Sequence, residues 1–427
     1  MQNVFDFLSF ADPNIKYVVL GSLLLSVSAA IVGSFIVLQK KSLVGDAVSH
    51  SVLPGICAAF LFAGTKNIFF MLLGAFISGW LSLLTIDFIT SKSKIKKDAA
   101  IGLVLSVFFA LGIVLMTYIQ QSGNAAQSGL DTFIFGKAAT LVDDDLYTFL
   151  VIAAVLMMAT LAFFKEFTLM AFDENFARVL GLPVQKLQLL LTALTVLAVV
   201  TGITAVGVVL MSAMLITPAA AARYWTHSIR QMVFLAAVFG AASGLVGAFI
   251  SYIAPAMPTG PWMVVVAALI AFFSFAFAPL GMVPRWVRRM KSSRTMAEEN
   301  ILKAFYQTGE PNEAFFENRS AQELLAFRKM RLGQLQRGIN RLTSKNLLKK
   351  SGDSWQLTQA GFDKAKRMVR LHRLWELYLS HYMDIAPDHV HNDAENMEHF
   401  ITPQLEAQLE KYLSNPQTDP HGTVIPK

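Results

Sequence analysis

The sequence holds a single cysteine, Cys57, in 427 residues, so neither an intrachain disulfide nor a thiolate zinc cluster can form. Cys57 stands inside an apolar run, where the expected role is that of a small buried hydrophobe. The pattern G-x-x-x-x-G-K-[ST] does not occur, which removes the phosphate-cradling loop and, with it, ATP hydrolysis of that type by this chain. Residues 1–14 carry acids and no basic n-region ahead of the first apolar run, which argues against a cleaved signal peptide. Low-complexity tracts and repeats of about 20–50 residues are absent too. Charged residues make up only 15% of the chain.

What remains is apolar. Mean hydropathy is +0.50 and 54% of residues are hydrophobic, more than a water-soluble globule accommodates. The charge that exists is unevenly placed: from Lys291 onward lie 19 of the 36 Lys and Arg and 17 of the 29 Asp and Glu. That asymmetry predicts a membrane domain over 1–283, a linker over 284–295 and a water-exposed domain over 296–427. A span needs about 20 apolar residues. About nine such runs are expected, near 15–38, 43–63, 68–90, 99–119, 146–164, 187–202, 204–222, 231–253 and 261–280. The stretch 187–222 is too long for one helix and has basic residues at both ends, so a reversal is expected around Thr201 to Thr204.

Five basic loops fix the orientation: Lys40-Lys41, Lys92 to Lys97, Lys165 to Lys186, Arg223 to Arg230 and Arg285 to Arg294 belong on the cytoplasmic side. The N-terminus is then outside and the C-terminal domain cytoplasmic. Topology also accounts for most of the +7 net charge. Phe133 to Gly136, in the outer loop from Gln120, has the character of a re-entrant piece or a tenth partial helix.

In the second run, Asp46 and His50 are four residues apart, which stacks a carboxylate and an imidazole on one helix face where both could meet one cation. A carboxylate at a span centre costs about 2.5–3.5 kcal/mol, so such a group is usually paired or lines a pathway. Pro54-Gly55 would free backbone carbonyls nearby. The alternative is that Asp46 lies at headgroup depth, caps a helix and bonds His50 without an ion. His50 is the one histidine of eight within a predicted span. Met211 and Met214 offer soft donors, with core packing the commoner role.

The run Ser42 to Gly55 (SLVGDAVSHSVLPG) resembles the signature of the permeases of ABC importers that carry manganese, zinc or iron. Asp173 to Pro183, Ala205 to Leu210 and Leu215 to Arg223 are similar to later motifs of that family, in the same order. The resemblance covers about residues 15–283. It implies that Asp46 and His50 lie on the metal translocation path. It also makes 173–183 a coupling helix for a separate ATPase subunit, with Asp173, Glu174, Phe176, Ala177, Leu180 and Gly181 in contact.

After the linker, Ser320 to Lys350 reads as a helix-turn-helix, with Ser320 as N-cap, Gly333 in the turn and Leu335, Ile339 and Leu342 at helical spacing. Ser354 to Thr358 is the expected strand of a wing. Between Arg328 and Arg373 there are 13 basic residues against two acids, a footprint that suits DNA phosphates or anionic lipid headgroups equally. Further on, His372 and Glu376 are four apart, and Glu395, Glu398 and His399 share a helix face near His391. Carboxylate and imidazole donors without thiolate suit manganese or ferrous iron, with zinc open; a solvated acidic helix is the plainer reading.

This tail resembles the metal-dependent repressors of the diphtheria-toxin-repressor and manganese-transport-regulator family, through Leu371 to Leu379, Asp388 to His399 and Asn415 to Pro426. The resemblance implies a main metal set of His372, Glu395, Glu398 and His399, with Glu376 and His391 in a neighbouring one. Glu395 stands where iron-type members have Cys, which favours manganese. In that family the first helix supplies further ligands, for which Glu298 or Glu299 are the candidates here.

The sequence therefore predicts an all-α polytopic membrane protein of about nine transmembrane helices, with a small cytosolic winged-helix and helical metal-binding domain. It is expected to be a non-enzymatic permease, homo- or heterodimeric, in the cell (inner) membrane. The expected partners are an ABC ATPase and an extracytoplasmic metal-binding protein. No cofactor is required beyond the divalent metal transported and sensed. Two other readings stand beside it: a membrane-tethered metal-dependent transcription regulator that binds DNA, and an importer of metal chelates.

Overall fold

The computed structural model describes residues 7, 13–64, 68–121, 136, 143–254, 257–328, 330–383, 402–413 and 416–426. The chain forms two compact units, Met1–Arg285 and Trp286–Lys427.

The first unit is helical because its sequence leaves no alternative: in hydrocarbon every backbone amide needs an internal partner. Its helices are α1 (Pro13–Leu38), α2 (Leu43–Ser51), α3 (Leu53–Ala63), α4 (Ile68–Lys92), α5 (Lys97–Gln121) and α6 (Asp143–Ala162). Two short helices follow, α7 (Phe164–Phe172) and α8 (Glu174–Val179). The set is completed by α9 (Val184–Val206), α10 (Val208–Arg223), α11 (Ile229–Ile253) and α12 (Thr259–Phe277). Among the described residues eight helices, counting α2 and α3 as one rod, are long and apolar enough to cross a membrane. The ninth expected span is α10, whose 16 residues reach only about 24 Å.

The reversal before α10 falls at Gly207, not at Thr201 to Thr204. Both threonine hydroxyls bond back within the helix, Thr201 Oγ1 to Leu197 O and Thr204 Oγ1 to Thr201 O, each at 2.7 Å, so the helix runs through them. Gly207 then adopts φ +96°, a conformation that side-chain-bearing residues avoid. A Cβ on Gly202 would meet Met211 Sδ at 2.1 Å, so α10 folds back along α9. Of the expected re-entrant piece, Phe133 to Phe135 lie outside the described residues, while Gly136 packs against the backbone of Ala205 to Gly207. The helices meet through small residues: a Cβ on Gly55 would lie 2.1 Å from Gly74 O.

The second unit contains most of α13 (Met282–Gly309), then β1 (Arg319–Ser320), α14 (Ala321–Phe327), α15 (Leu332–Ser344), β2 (Leu348–Ser351), β3 (Ser354–Leu357), α16 (Gln359–Tyr382) and α17 (Pro403–Tyr412). Ser320 caps α14 through a full capping box with Glu323. Leu335, Ile339 and Leu342 are buried together as their spacing requires. Gly333 is not in the turn: it belongs to the first turn of α15. The wing is an antiparallel sheet in the order β1-β3-β2, with Lys350 opposite Trp355.

Candidate functional site: a metal path, a docking loop and a sensor-like helix

Asp46 sits in the first turn of α2 and His50 in its last, both half-buried. The helix stops at Ser51 because Pro54 has no amide to give the His50 carbonyl. On the other side of α2, Gly45 packs on Ser212 and Leu215 of α10. The His50 ring stands edge-on to Phe109 of α5, with centroids 5.1 Å apart. Its Nδ1 is buried without a hydrogen-bond partner among the described residues, and so are Ser49 Oγ and Ser51 Oγ in the adjacent positions. Each buried unpaired polar atom costs about 1–3 kcal/mol, so three in consecutive residues point to something other than packing. Sequence reading named His50 and missed the two serines, although Ser-His-Ser within an apolar span was the available signal. Met211 and Met214 are buried in the apolar core, and Cys57 is buried as expected.

The predicted docking residues fall on and around α8. Asp173 is its N-cap, with Oδ1 accepting from Asn175 N at 2.9 Å and Phe176 N at 3.0 Å. Glu174 pairs with Arg178 one turn on. Ala177 anchors the helix to the body, and Gly181, at φ +81°, ends it. Phe176, Val179 and Leu180 are left exposed, Val179 at 83%. Val179, absent from the sequence-based set, is therefore the most prominent apolar side chain of the loop. Three adjacent exposed apolar groups held on a capped six-residue helix suit a protein partner.

In the second unit, His372 and Glu376 are brought together on α16: Nε2 lies 2.9 Å from Oε1, and both side chains are buried. The other four sensor candidates, His391, Glu395, Glu398 and His399, lie outside the described residues. Among the described residues no group of three or more His, Cys, Asp or Glu is poised to hold a metal. Glu298, a candidate ligand from the first helix, is engaged by two cations. Its carboxylate, 5% exposed, faces Arg341 Nε at 3.0 Å, off the hydrogen-bonding direction, and bonds Lys345 Nζ at 2.5 Å. Glu299 faces Lys364.

One further anchor was not foreseen. Arg373 donates to both oxygens of Glu310 and to Val424 O, each at 2.7 Å, joining α16 to the turn after α13 and to the C-terminal segment. Burial pulls the guanidinium down, but the Glu310 hydrogen bond and charge, with Asp419, hold it above its ordinary value. Nearby Tyr306 is pushed up, by burial first and by the Glu310 charge second, with Arg373 opposing.

Comparison with known proteins identifies both parts. Residues 11–278 match the ABC 3 transport family, and residues 358–427 match the iron dependent repressor, metal binding and dimerisation domain. The chain is 43% identical over 381 residues to the manganese transport system membrane protein MntC of Bacillus subtilis, covering 89% of this chain and 87% of that one. It is 45% identical over 270 residues to the zinc transport system membrane protein TroC of Treponema pallidum, covering 63% and 91%. The structure of PsaBC from Streptococcus pneumoniae in complex with Fab superposes with a TM-score of 0.58 at 33% identity, over 65% of this chain and 96% of that one. The apolar helices are thus those of a multi-pass membrane protein, and the chain belongs to the ABC 3 transport family, with a repressor-type metal-binding domain at its C-terminus.

Proposed function

We propose that the chain is the permease of a manganese importer, with iron or zinc as the next candidates, and that Asp46 and His50 form a transient site on the translocation path. The observation that carries this is the buried His50 Nδ1, orphaned among the described residues, one turn from the half-buried Asp46 on the same helix face. An imidazole nitrogen with no protein partner is free to take a cation, and a site with few protein ligands can release it again. Oxygen and nitrogen donors without thiolate favour manganese over softer metals. In the proposed assembly a separate ATPase docks on Phe176, Val179 and Leu180, a binding protein delivers metal from outside, and two permeases form the pathway. The domain 296–427 lies in the cytosol and senses the same metal, with His372 and Glu376 among its ligands. Operator DNA is a weaker partner, because two cations of the α15 region, Arg341 and Lys345, are engaged by Glu298.

The test is the manganese, iron and zinc content of cells carrying the wild type, Asp46→Ala or His50→Ala. One metal should fall by about tenfold or more, the low end of what disturbing a metal site costs. Unchanged content of all three refutes the assignment. Sensing is tested by truncation after Met290, and it fails if uptake stays equally sensitive to internal metal.

A further inference from the structure

Away from Asp46 and His50, two cavities in the first unit adjoin through shared wall residues. One, of about 570 Å³, is walled by α7 and by the loop entering α11, and its polar lining is Lys165, Thr168, His227, Ser228 and Arg230. The second, of about 420 Å³, lies against α1, the end of α6 and the first turns of α11, and is lined by Ile31, Leu161, Val233, Phe234 and Ala237. Phe164 and Arg230 line both, so a basic mouth opens into an apolar groove. Among the described residues no acidic side chain lines either cavity, and Glu166, beside Lys165, turns Oε2 into a buried position instead. Thr168 Oγ1 is buried in the wall of the mouth without a partner.

We propose that this composite groove binds an anionic phospholipid, with the phosphate at Lys165, His227 and Arg230 and one acyl chain along α11 from Arg230 to Ala237. The seven helical steps between them give about 10 Å of track. The charge suits a phosphate, since basic pockets between membrane helices near the basic-loop side hold anionic headgroups. The apolar continuation separates a lipid from a free anion. Leu161, Val233 and Phe234 lie on helices long and apolar enough to cross a membrane, and Phe234 is 68% exposed. A polar ligand would leave that half of the groove unfilled, whereas an acyl chain covers it.

The experiment uses the full chain in detergent and native mass spectrometry, with dioleoyl phosphatidylglycerol and dioleoyl phosphatidylcholine offered at equal concentration. Phosphatidylglycerol should be retained about fivefold or more over phosphatidylcholine, and Arg230→Gln and Lys165→Gln should each remove about fivefold of that preference. Both residues are exposed, so their loss leaves the fold intact. Ala237→Trp, which fills the groove from its wall, should reduce retention of both lipids. Glycerol 3-phosphate, the headgroup without chains, should not displace the lipid. Equal retention of the two lipids overturns the proposal, as does a preference that survives both charge variants. Displacement by glycerol 3-phosphate overturns it too, in favour of a free-anion site.

Discussion

Glu298 offers a sharp test of how the second unit is held together. Its carboxylate is nearly sealed from solvent, while the side chains of its partners Arg341 and Lys345 remain 35% and 55% exposed. Glu298→Gln keeps the shape and removes the charge. Breaking a fully buried pair costs about 3–5 kcal/mol, and breaking a surface pair about 0–1 kcal/mol. Here the two cations can rehydrate but the carboxylate position cannot, which puts the expected loss between those limits, at about 2 kcal/mol. For a unit of this size 1 kcal/mol shifts the melting temperature by about 3 °C, so the fragment Trp286–Lys427 should melt about 6 °C lower. The difference should shrink in high salt, because the partners are partly exposed. Circular dichroism during heating reads the shift, and calorimetric titration with manganese reads the second half of the prediction. A carboxylate already clamped by two cations is no metal ligand, so manganese affinity should stay within about threefold. A tenfold loss of affinity, or no change in melting, would refute the reasoning.

Two further outcomes follow from packing and from protonation. Gly55→Ala places a methyl 2.1 Å from Gly74 O and 2.6 Å from Ser78 Cβ, so α3 and α4 must separate and the full chain should lose about 3 kcal/mol in a detergent melting assay, while Gly102→Ala, with nothing within 4 Å, should gain up to about 1 kcal/mol. Equal effects of the two would mean that the Gly55 crossing is not close-packed. Tyr306 keeps its proton in the folded state to a higher pH than in the unfolded chain. Above about pH 10 the unfolded chain releases that proton first, so stability should fall as pH rises further, and Tyr306→Phe should flatten the fall. Urea midpoints of both forms between pH 8 and 11 decide it, and parallel curves would exclude Tyr306 as the cause.

The spans were legible because hydrocarbon imposes a length and a composition that the sequence displays without alignment. The helical core of the second unit was legible for a similar reason: Leu335, Ile339 and Leu342 declare their shared face by spacing alone. The reversal at Gly207 was not, since Thr201-Gly202-Ile203-Thr204 looks more polar than the residues that actually turn. Threonine hydroxyls that bond back to their own helix carry no turn signal, and a glycine's φ is invisible in a hydropathy profile. Gly333 misled in the opposite sense, because a glycine in the first turn of a helix costs little and marks nothing. The proposed metal path was half legible. Asp46 and His50 stood out as expensive residues in an apolar run, whereas Ser49 and Ser51 pass unnoticed in any span, where serine normally bonds its own backbone. Only the geometry separates Ser34 and Ser82, which bond back to Ala30 O and Gly79 O, from Ser49 and Ser51, which find no partner.

On the proposed function, the same contrast between orphaned and paired donors lets one chain handle one metal in two ways. In the proposed path, His50 Nδ1 has no protein partner among the described residues to give up, so a cation displaces nothing there and is held by few donors. Binding is then quick to form and quick to reverse, as transport requires. On α16 the opposite holds, because His372 and Glu376 already bond one another in a buried setting. A cation that takes both must first break a charge-assisted contact worth about 1.5–3 kcal/mol, which lowers its apparent affinity by about ten- to a hundredfold. A sensor needs such a threshold. Metal passing through should leave it empty, and only metal that accumulates should fill it. Glu376→Gln and Glu376→Ala both lose the carboxylate donor, but only the Gln amide can still bond His372, so manganese affinity by calorimetric titration should be lower in Glu376→Gln than in Glu376→Ala, and the reverse order would refute the threshold.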